Sequence, residues 1–240
     1  MSADPGSPPE RPPRGRDART VGLARAFEWY AEAMRLWRRG PLTFSALALA
    51  ILAANVALEL LPRAGVVAAQ LVLPLLECGL LYASLAADRG DRPRLRHLVA
   101  IVGARPAAIA AVVVAGSLVF AAEAIVALEA GGVDLLAPGS SASEIAPGSL
   151  LVIYAAGMLT SLPLTFVPFA ALFDGLGFRD AFAASFEAFT RNALPLVAWG
   201  ALSFALLIVG LLSSGVGLLL ALPWSAAASY AAWKDIFGVR

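Results

Sequence analysis

Apolar and polar positions alternate along this chain in blocks rather than residue by residue. Segments 41–61, 66–87, 106–130 and 150–173 are each dominated by Ala, Leu, Val and Ile. Each has about the twenty residues an α-helix needs to cross the roughly 30 Å hydrocarbon of a bilayer. A last apolar block, 193–233, is too long for one crossing. It divides at "LLSSGVG", residues 211–217, whose Ser and Gly mark a turn. Spans at 193–212 and 215–233 follow. The expectation is an all-α membrane protein with a six-transmembrane-helix bundle.

Between the blocks the period changes. In "GLARAFEWYAEAMRLWRR", residues 22–39, Phe27, Tyr30, Met34 and Trp37 recur at spacings of three and four and share a helical face. Such a helix suits the membrane interface, with its aromatics at headgroup depth. It equally suits packing on the protein's own cytoplasmic face. Comparable stretches are "PRLRHLVAIV" before the third span and "GFRDAFAASFEAFTRN" before the fifth, where Phe178, Phe182, Phe186 and Phe189 line up.

These similarities suggest an internal repeat. The odd-numbered spans begin "LWRRGPLTF", "IVGARPAAI" and "FTRNALPLV", each with an arginine, then Pro41, Pro106 or Pro195. The even-numbered ones end "LLYASLAADRG", "PFAALFDG" and "ASYAAWKDIFG", closing on Asp88, Asp174 and Asp235. Each even-numbered span also carries interior proline: Pro74, Pro163 with Pro168, and Pro223. The chain thus reads as three helical-hairpin repeats, each preceded by a short interfacial amphipathic helix. Proline at a first helical turn and arginine before a span are also ordinary without repetition. An interior proline frees a backbone group that hydrocarbon cannot satisfy, so neighbouring helices or polar side chains must.

Charge sets the orientation. With a cytoplasmic N-terminus and six spans, 17 of the 18 basic residues fall on the cytoplasmic side, Arg63 being the exception. The positive-inside bias predicts that arrangement, with both termini cytoplasmic. The outer loop "GGVDLLAPGSSASEIAPG" carries two acids, Asp134 and Glu144, and no base. Residues 1–20, rich in Pro, Arg and Gly, cannot bury enough surface to fold and read as a disordered basic tail. Residues 21–240 form a single membrane domain.

The chemistry is sparse. Acids at membrane depth are Glu59, Glu77, Glu123 and Glu129. Glu59 and Glu129 sit near span ends, and Glu77 and Glu123 lie deeper. Asn55 and Gln70 lie in the outer half of the first two spans. No Lys or Arg lies at that depth. An ionised carboxylate at the bilayer centre costs on the order of 2.5–3.5 kcal/mol, so such a residue is a candidate functional site. Glu77, Glu123, Asn55 and Gln70 are therefore the candidate binding residues. A wet cavity, or a hydrogen-bond partner such as Asn55 or Gln70, would lower that cost for Glu77. The structural alternative is a neutral Glu77 joining helices as polar glue, worth about 1 kcal/mol. The second half of the chain lacks such acids, which weighs against a symmetric transporter.

No G-x-S-x-G, H-E-x-x-H or G-x-x-x-x-G-K pattern occurs. One Cys, Cys78, and one His, His97, offer no metal spacing, and no cofactor is expected; His97 reads as a surface loop residue. The basic side points to anionic lipid headgroups, and the tail lacks the aromatic interleaving of nucleic-acid binders. Ala46, Ala50 and Ala54, and Ala221, Ser225 and Ser229, form small-residue faces for close packing within the chain, in a homo-oligomer or with a partner membrane protein.

"LVLPLLECGLLYASLAADRG", "SFEAFTRNALPLVAWG" and "LPWSAAASYAAWKDIFG" resemble an uncharacterised family of proteobacterial six-span inner-membrane proteins, over about residues 20–240. More loosely, the threefold layout is similar to the membrane domain of some glycerophosphodiester phosphodiesterases, whose catalytic domain has no counterpart here. The resemblance implies a bacterial inner (plasma) membrane location and a faint link to envelope maintenance, and it brings no catalytic residue. The expected function is non-enzymatic binding of a lipid or partner protein. The alternative is a small-solute or proton-coupled transporter or channel using Glu77 and Glu123.

Overall fold

The structure, a computed structural model, describes residues 17–61, 64–135 and 146–239. All regular structure among them is helical. α1 is Arg25–Trp37, α2 Pro41–Glu59 and α3 Ala64–Asp88, followed by a 3-10 helix at Leu95–Gly103. Then come α4 Pro106–Gly131, α5 Pro147–Ser161, α6 Val167–Leu172, α7 Phe178–Arg191, α8 Ala193–Leu212 and α9 Leu218–Ile236. Pro41 and Pro106 open their helices at the position where a missing N–H costs nothing. Residues 1–16, Arg63, Glu144 and Arg240 lie outside the described residues, and with them most of the basic tail and much of the outer loop.

Five stretches are long and apolar enough to cross a membrane: Pro41–Glu59, Gly65–Asp88, Pro106–Gly131, Gly148–Leu172 and Ala193–Leu212. Most of their exposed large side chains are apolar, Leu49, Val56, Leu71, Leu118, Ile125 and Leu159 among them. That exposure is unfavourable in water and fits a hydrocarbon surround. α9 has the length of α2 but is less apolar. Its position explains this: every residue from Ala227 to Trp233 is buried, so it meets protein on all sides. α1, α2, α3 and α8 pack around it, and its small Ala and Ser side chains allow that approach.

The fourth stretch is broken. α5 ends at Ser161, a 3-10 turn spans Leu162–Leu164, and α6 begins at Val167. Pro163 and Pro168 cause the break by removing backbone donors and crowding the preceding turn. The side chain of Ser185, fully buried on α7, repairs it. Its Oγ donates to the Pro163 carbonyl at 2.8 Å and accepts the Phe166 N–H at 3.0 Å. Thr165 Oγ1 donates to the Ser161 carbonyl at 3.0 Å.

The charged ends of the helices gather at one face. The Asp88 carboxylate accepts Tyr230 Oη–H at 3.0 Å and Lys234 Nζ at 2.5 Å. Asp174 accepts the Trp233 indole N–H at 3.0 Å. Asp235 accepts the Trp29 indole N–H at 3.0 Å and Arg25 Nε at 2.7 Å. Each of the three aspartates therefore takes a hydrogen bond from an aromatic ring on another element, tying α1, α3, the end of α6 and α9 together. Around them Phe169 stacks on Trp233, with ring centroids 5.5 Å apart and planes 16° apart.

α1 fully buries Ala26, Trp29, Ala33 and Leu36. Tyr30 and Trp37, from the aromatic face, also pack partly buried against the core. The alanines let α1 sit close on α9, while Phe27 stays exposed. Residues 17–20 are not a free tail. Ala18 is buried, the Arg19 N–H donates to the Ile236 carbonyl at 2.7 Å, and Asn192 and Arg191 donate to the carbonyls of Arg19 and Ala18 at 2.8 Å. His97 closes the first turn of the 3-10 helix, its Nδ1 accepting the Arg94 N–H at 3.2 Å.

Two outcomes are expected. Ser185→Ala leaves a buried donor and acceptor unanswered and should destabilise the fold by about 1–3 kcal/mol, read as a lower unfolding midpoint in detergent. The second concerns Asp235. Burial alone would raise its carboxyl, but hydrogen bonds from Arg25 and Trp29 outweigh burial and hold it below the usual carboxylate range. A depressed carboxylate stabilises above its unfolded-state pKa and loses that stabilisation as pH falls through the folded one. Stability should therefore drop as pH falls below about 4, and Asp235→Asn should flatten that acid limb in a melt series without steepening it near neutrality.

Candidate functional site

Glu77 sits midway along α3, one turn after Pro74. Pro74 packs against Gly116 of α4, where a Cβ would lie 2.5 Å from the proline ring. Glycine is thus required for α3 and α4 to meet here. Beside this contact a cavity of about 350 Å³ opens between α2, α3, α4, the α5–α6 break, α8 and α9. Its walls are mostly apolar, with Ile51, Val112, Leu164, Phe169 and Leu222 among them. Its polar groups are Glu77, Cys78, Ser161, Thr165, Ser203, Ser225 and Ser229. Among the described residues no Lys, Arg or His lines it.

Glu77 is exposed in this opening. Among the described residues no hydrogen bond or ion pair reaches its carboxyl. The polar-glue expectation, with Asn55 or Gln70 as partner, is therefore not what the helices do. Asn55 Nδ2 donates instead to Glu59 Oε1, one turn along α2, at 2.8 Å. Gln70 is half-buried on α3, and neither residue lines the cavity.

Glu123 is placed differently. It lies on α4 toward the end away from the aspartates, half-buried against Gly157 of α5. A methyl group on Gly157 would overlap Oε1, so this glycine makes the seat for the carboxyl. α3 and α4 run antiparallel, as the contact of Pro74 with Gly116 and the shared pocket of Tyr82 with Ala108 require. Helical side chains tilt toward their own N-terminus, so Glu77 and Glu123 lean toward each other. Tyr154 on α5 lies within electrostatic reach of both Glu123 and Glu59. The four candidates thus divide. Glu77 belongs to the cavity, Glu123 neighbours it electrostatically, Asn55 belongs to a surface pair with Glu59, and Gln70 stands apart.

The residues that sequence reading missed are the hydroxyls. Ser161, Thr165 and Ser203 are ordinary helix residues by pattern, and only the α5–α6 break and the packing of α8 on α9 bring them to one wall. Tyr30 of α1 reaches two residues of the cavity wall. Its hydroxyl lies 2.5 Å from Ser203 Oγ and donates to the Trp199 carbonyl at 3.3 Å. Among the described residues no three His, Cys, Asp or Glu side chains gather to hold a metal ion.

An all-helical chain with five such apolar helices is consistent with an integral, multi-pass membrane protein. Compared with known proteins, the chain matches no family model, no curated protein and no solved structure.

One outcome isolates the seat of Glu123. Gly157→Ala should displace the carboxyl and lower stability by about 1–3 kcal/mol, the usual cost of overpacking. Glu123→Ala in the same chain should recover most of that loss. Unfolding midpoints of the two single variants and the double variant check the coupling.

Proposed function

We propose that this is a six-span protein of the bacterial inner membrane that holds a lipid-like molecule in the cavity around Glu77. The observation that carries the reading is the cavity itself: apolar walls, a carboxyl in the middle, and no partner for that carboxyl among the described residues. A pocket of this kind buries an apolar body and orients it by a few polar groups. α9 is the sixth span in this reading. It crosses inside a sleeve of other helices, which relieves it of the need to be apolar. The aspartate end is cytoplasmic, because the described basic residues lie on that side of the spans. The 3-10 helix, with Val99 and Val102 exposed beside Arg94 and Arg96, rests on anionic headgroups. The layout is that of three hairpin repeats, and the three aspartate–aromatic bonds at equivalent ends support this. The protein acts by binding rather than by catalysis, in keeping with its resemblance to inner-membrane proteins linked to the envelope.

A second reading, passage of protons or a small solute, has its own support. Glu59, Tyr154, Glu123 and Glu77 form a succession of groups, each in electrostatic reach of the next, leading from one end of the bundle to the cavity. Flux into proteoliposomes under a pH gradient separates the two readings.

Native mass spectrometry of protein extracted in mild detergent tests the first. Wild type should retain a small amphiphilic species that Ser225→Phe, which fills the cavity, loses. Identical spectra without any bound species would remove the binding reading.

A further inference from the structure

The polar wall of the cavity has a one-sided chemistry, because nearly every hydroxyl proton in it is already donated. Ser161 Oγ donates to the Met158 carbonyl at 2.7 Å, and Thr165 Oγ1 to the Ser161 carbonyl at 3.0 Å. Ser229 Oγ donates to the Ala226 carbonyl at 2.8 Å, and Cys78 Sγ to the Pro74 carbonyl at 3.2 Å. Ser203 is paired with Tyr30. Serine and threonine in helices commonly bond back to the preceding turn in this way. Each hydroxyl oxygen keeps lone pairs after its proton is given away. The indole nitrogen of Trp199, the one N–H donor among the wall side chains, is buried out of reach. Ser225 makes no such back-bond among the described residues and is the one wall hydroxyl with a proton to give. What otherwise lines the cavity is a set of acceptors: hydroxyl oxygens and the Glu77 carboxyl.

A ligand that satisfies such a wall must bring the donors. We infer that the cavity selects amphiphiles whose polar end is a protonated primary amine, with Glu77 as the counter-charge. An ammonium group carries three N–H donors and a positive charge. It supplies a charge-assisted hydrogen bond to the carboxylate, the stronger class of such bonds, and leaves two donors for hydroxyl oxygens. A phosphate-headed amphiphile brings acceptors and negative charge to a wall with no cation among the described residues and, in Ser225, a single free hydroxyl donor. In a site of low dielectric, that mismatch is felt strongly. An alcohol brings one donor and no charge, and should rank between them. This inference rests on the cavity reading above and adds the ligand's chemical class.

The test uses three probes of equal chain length, n-decylamine, n-decanol and n-decyl phosphate. Each is titrated at neutral pH onto full-length protein in phosphatidylcholine nanodiscs and followed by native mass spectrometry. Wild type should hold the amine about tenfold or more tightly than the alcohol, and the phosphate least. Glu77→Gln should remove the amine preference while decanol binding persists. Persistence of decanol shows that the variant is folded. Glu77→Asp should keep part of the preference, and Ser225→Phe should abolish binding of all three. If decanol or decyl phosphate binds wild type as well as the amine, and Ser225→Phe still abolishes binding, the cavity reading stands and the amine class is wrong. If Ser225→Phe leaves amine binding unchanged, the probe sits elsewhere and both are overturned. An amine preference that survives Glu77→Gln rejects Glu77 as the counter-charge.

Discussion

Hydrocarbon offers no hydrogen bonds, so polar groups set among these apolar helices have to be answered from within the chain. The broken fourth stretch shows the consequence most directly. Pro163 and Pro168 interrupt the helix, and Ser185 of α7 supplies both a donor and an acceptor at the break. The same constraint organises the aspartate end. Asp88, Asp174 and Asp235 are each met by an aromatic N–H or O–H from elsewhere in the fold. It also makes most of the cavity wall a set of acceptors, since Ser161, Thr165 and Ser229 satisfy themselves on carbonyls of the preceding turn and keep lone pairs for a visitor.

α9 shows how the surroundings of a helix decide its composition. The helices with lipid-like exposure are built of Leu, Val and Ile on their outer sides. α9 meets other helices on all sides over its second half and is built of Ala, Ser and aromatics. Hydropathy measures compatibility with hydrocarbon, and this helix is solvated by protein instead. Small side chains let α1 and α3 come close, and the two longest, Tyr230 and Trp233, reach past them to Asp88 and Asp174.

The cavity arises where that close packing is interrupted. Pro74 and Pro168 stand in its wall, and Pro223 follows Leu222 of the wall. Gly116 allows Pro74 to approach α4, and Gly157 allows Glu123 to lie flat against α5. Glycine and proline therefore act together here, one admitting a close approach and the other preventing the helix from closing over the gap. Tyr30 of α1 bonds to Ser203 and Trp199 of the wall, so a helix that lies outside the apolar stretches still braces the site.

Much of the architecture was legible in the order of residues. Helix existence, the start of α2 at Pro41, the start of α4 at Pro106 and the bounds of α8 followed from block length and turn chemistry, because crossing hydrocarbon imposes a length on the chain itself. That Glu77 stands without a cationic neighbour was also legible, since no Lys or Arg occurs at its depth. What its carboxyl faces was not. Asn55 looked like a partner by depth, yet its amide turns one helical turn along α2 to Glu59, and depth carries no information about azimuth. That α1 also buries Ala26 and Ala33 was not legible, because close helix packing rewards small side chains, which a search for apolar periodicity passes over. The hydroxyl wall comes from the break before α6 and from α8 and α9, far apart in the chain. Sequence alone determined that the chain is built of long apolar helices and where charge accumulates, because both depend on local composition against a uniform surround. Only the tertiary structure decided which polar side chains share a cavity, because that depends on how helices rotate about their axes when they pack.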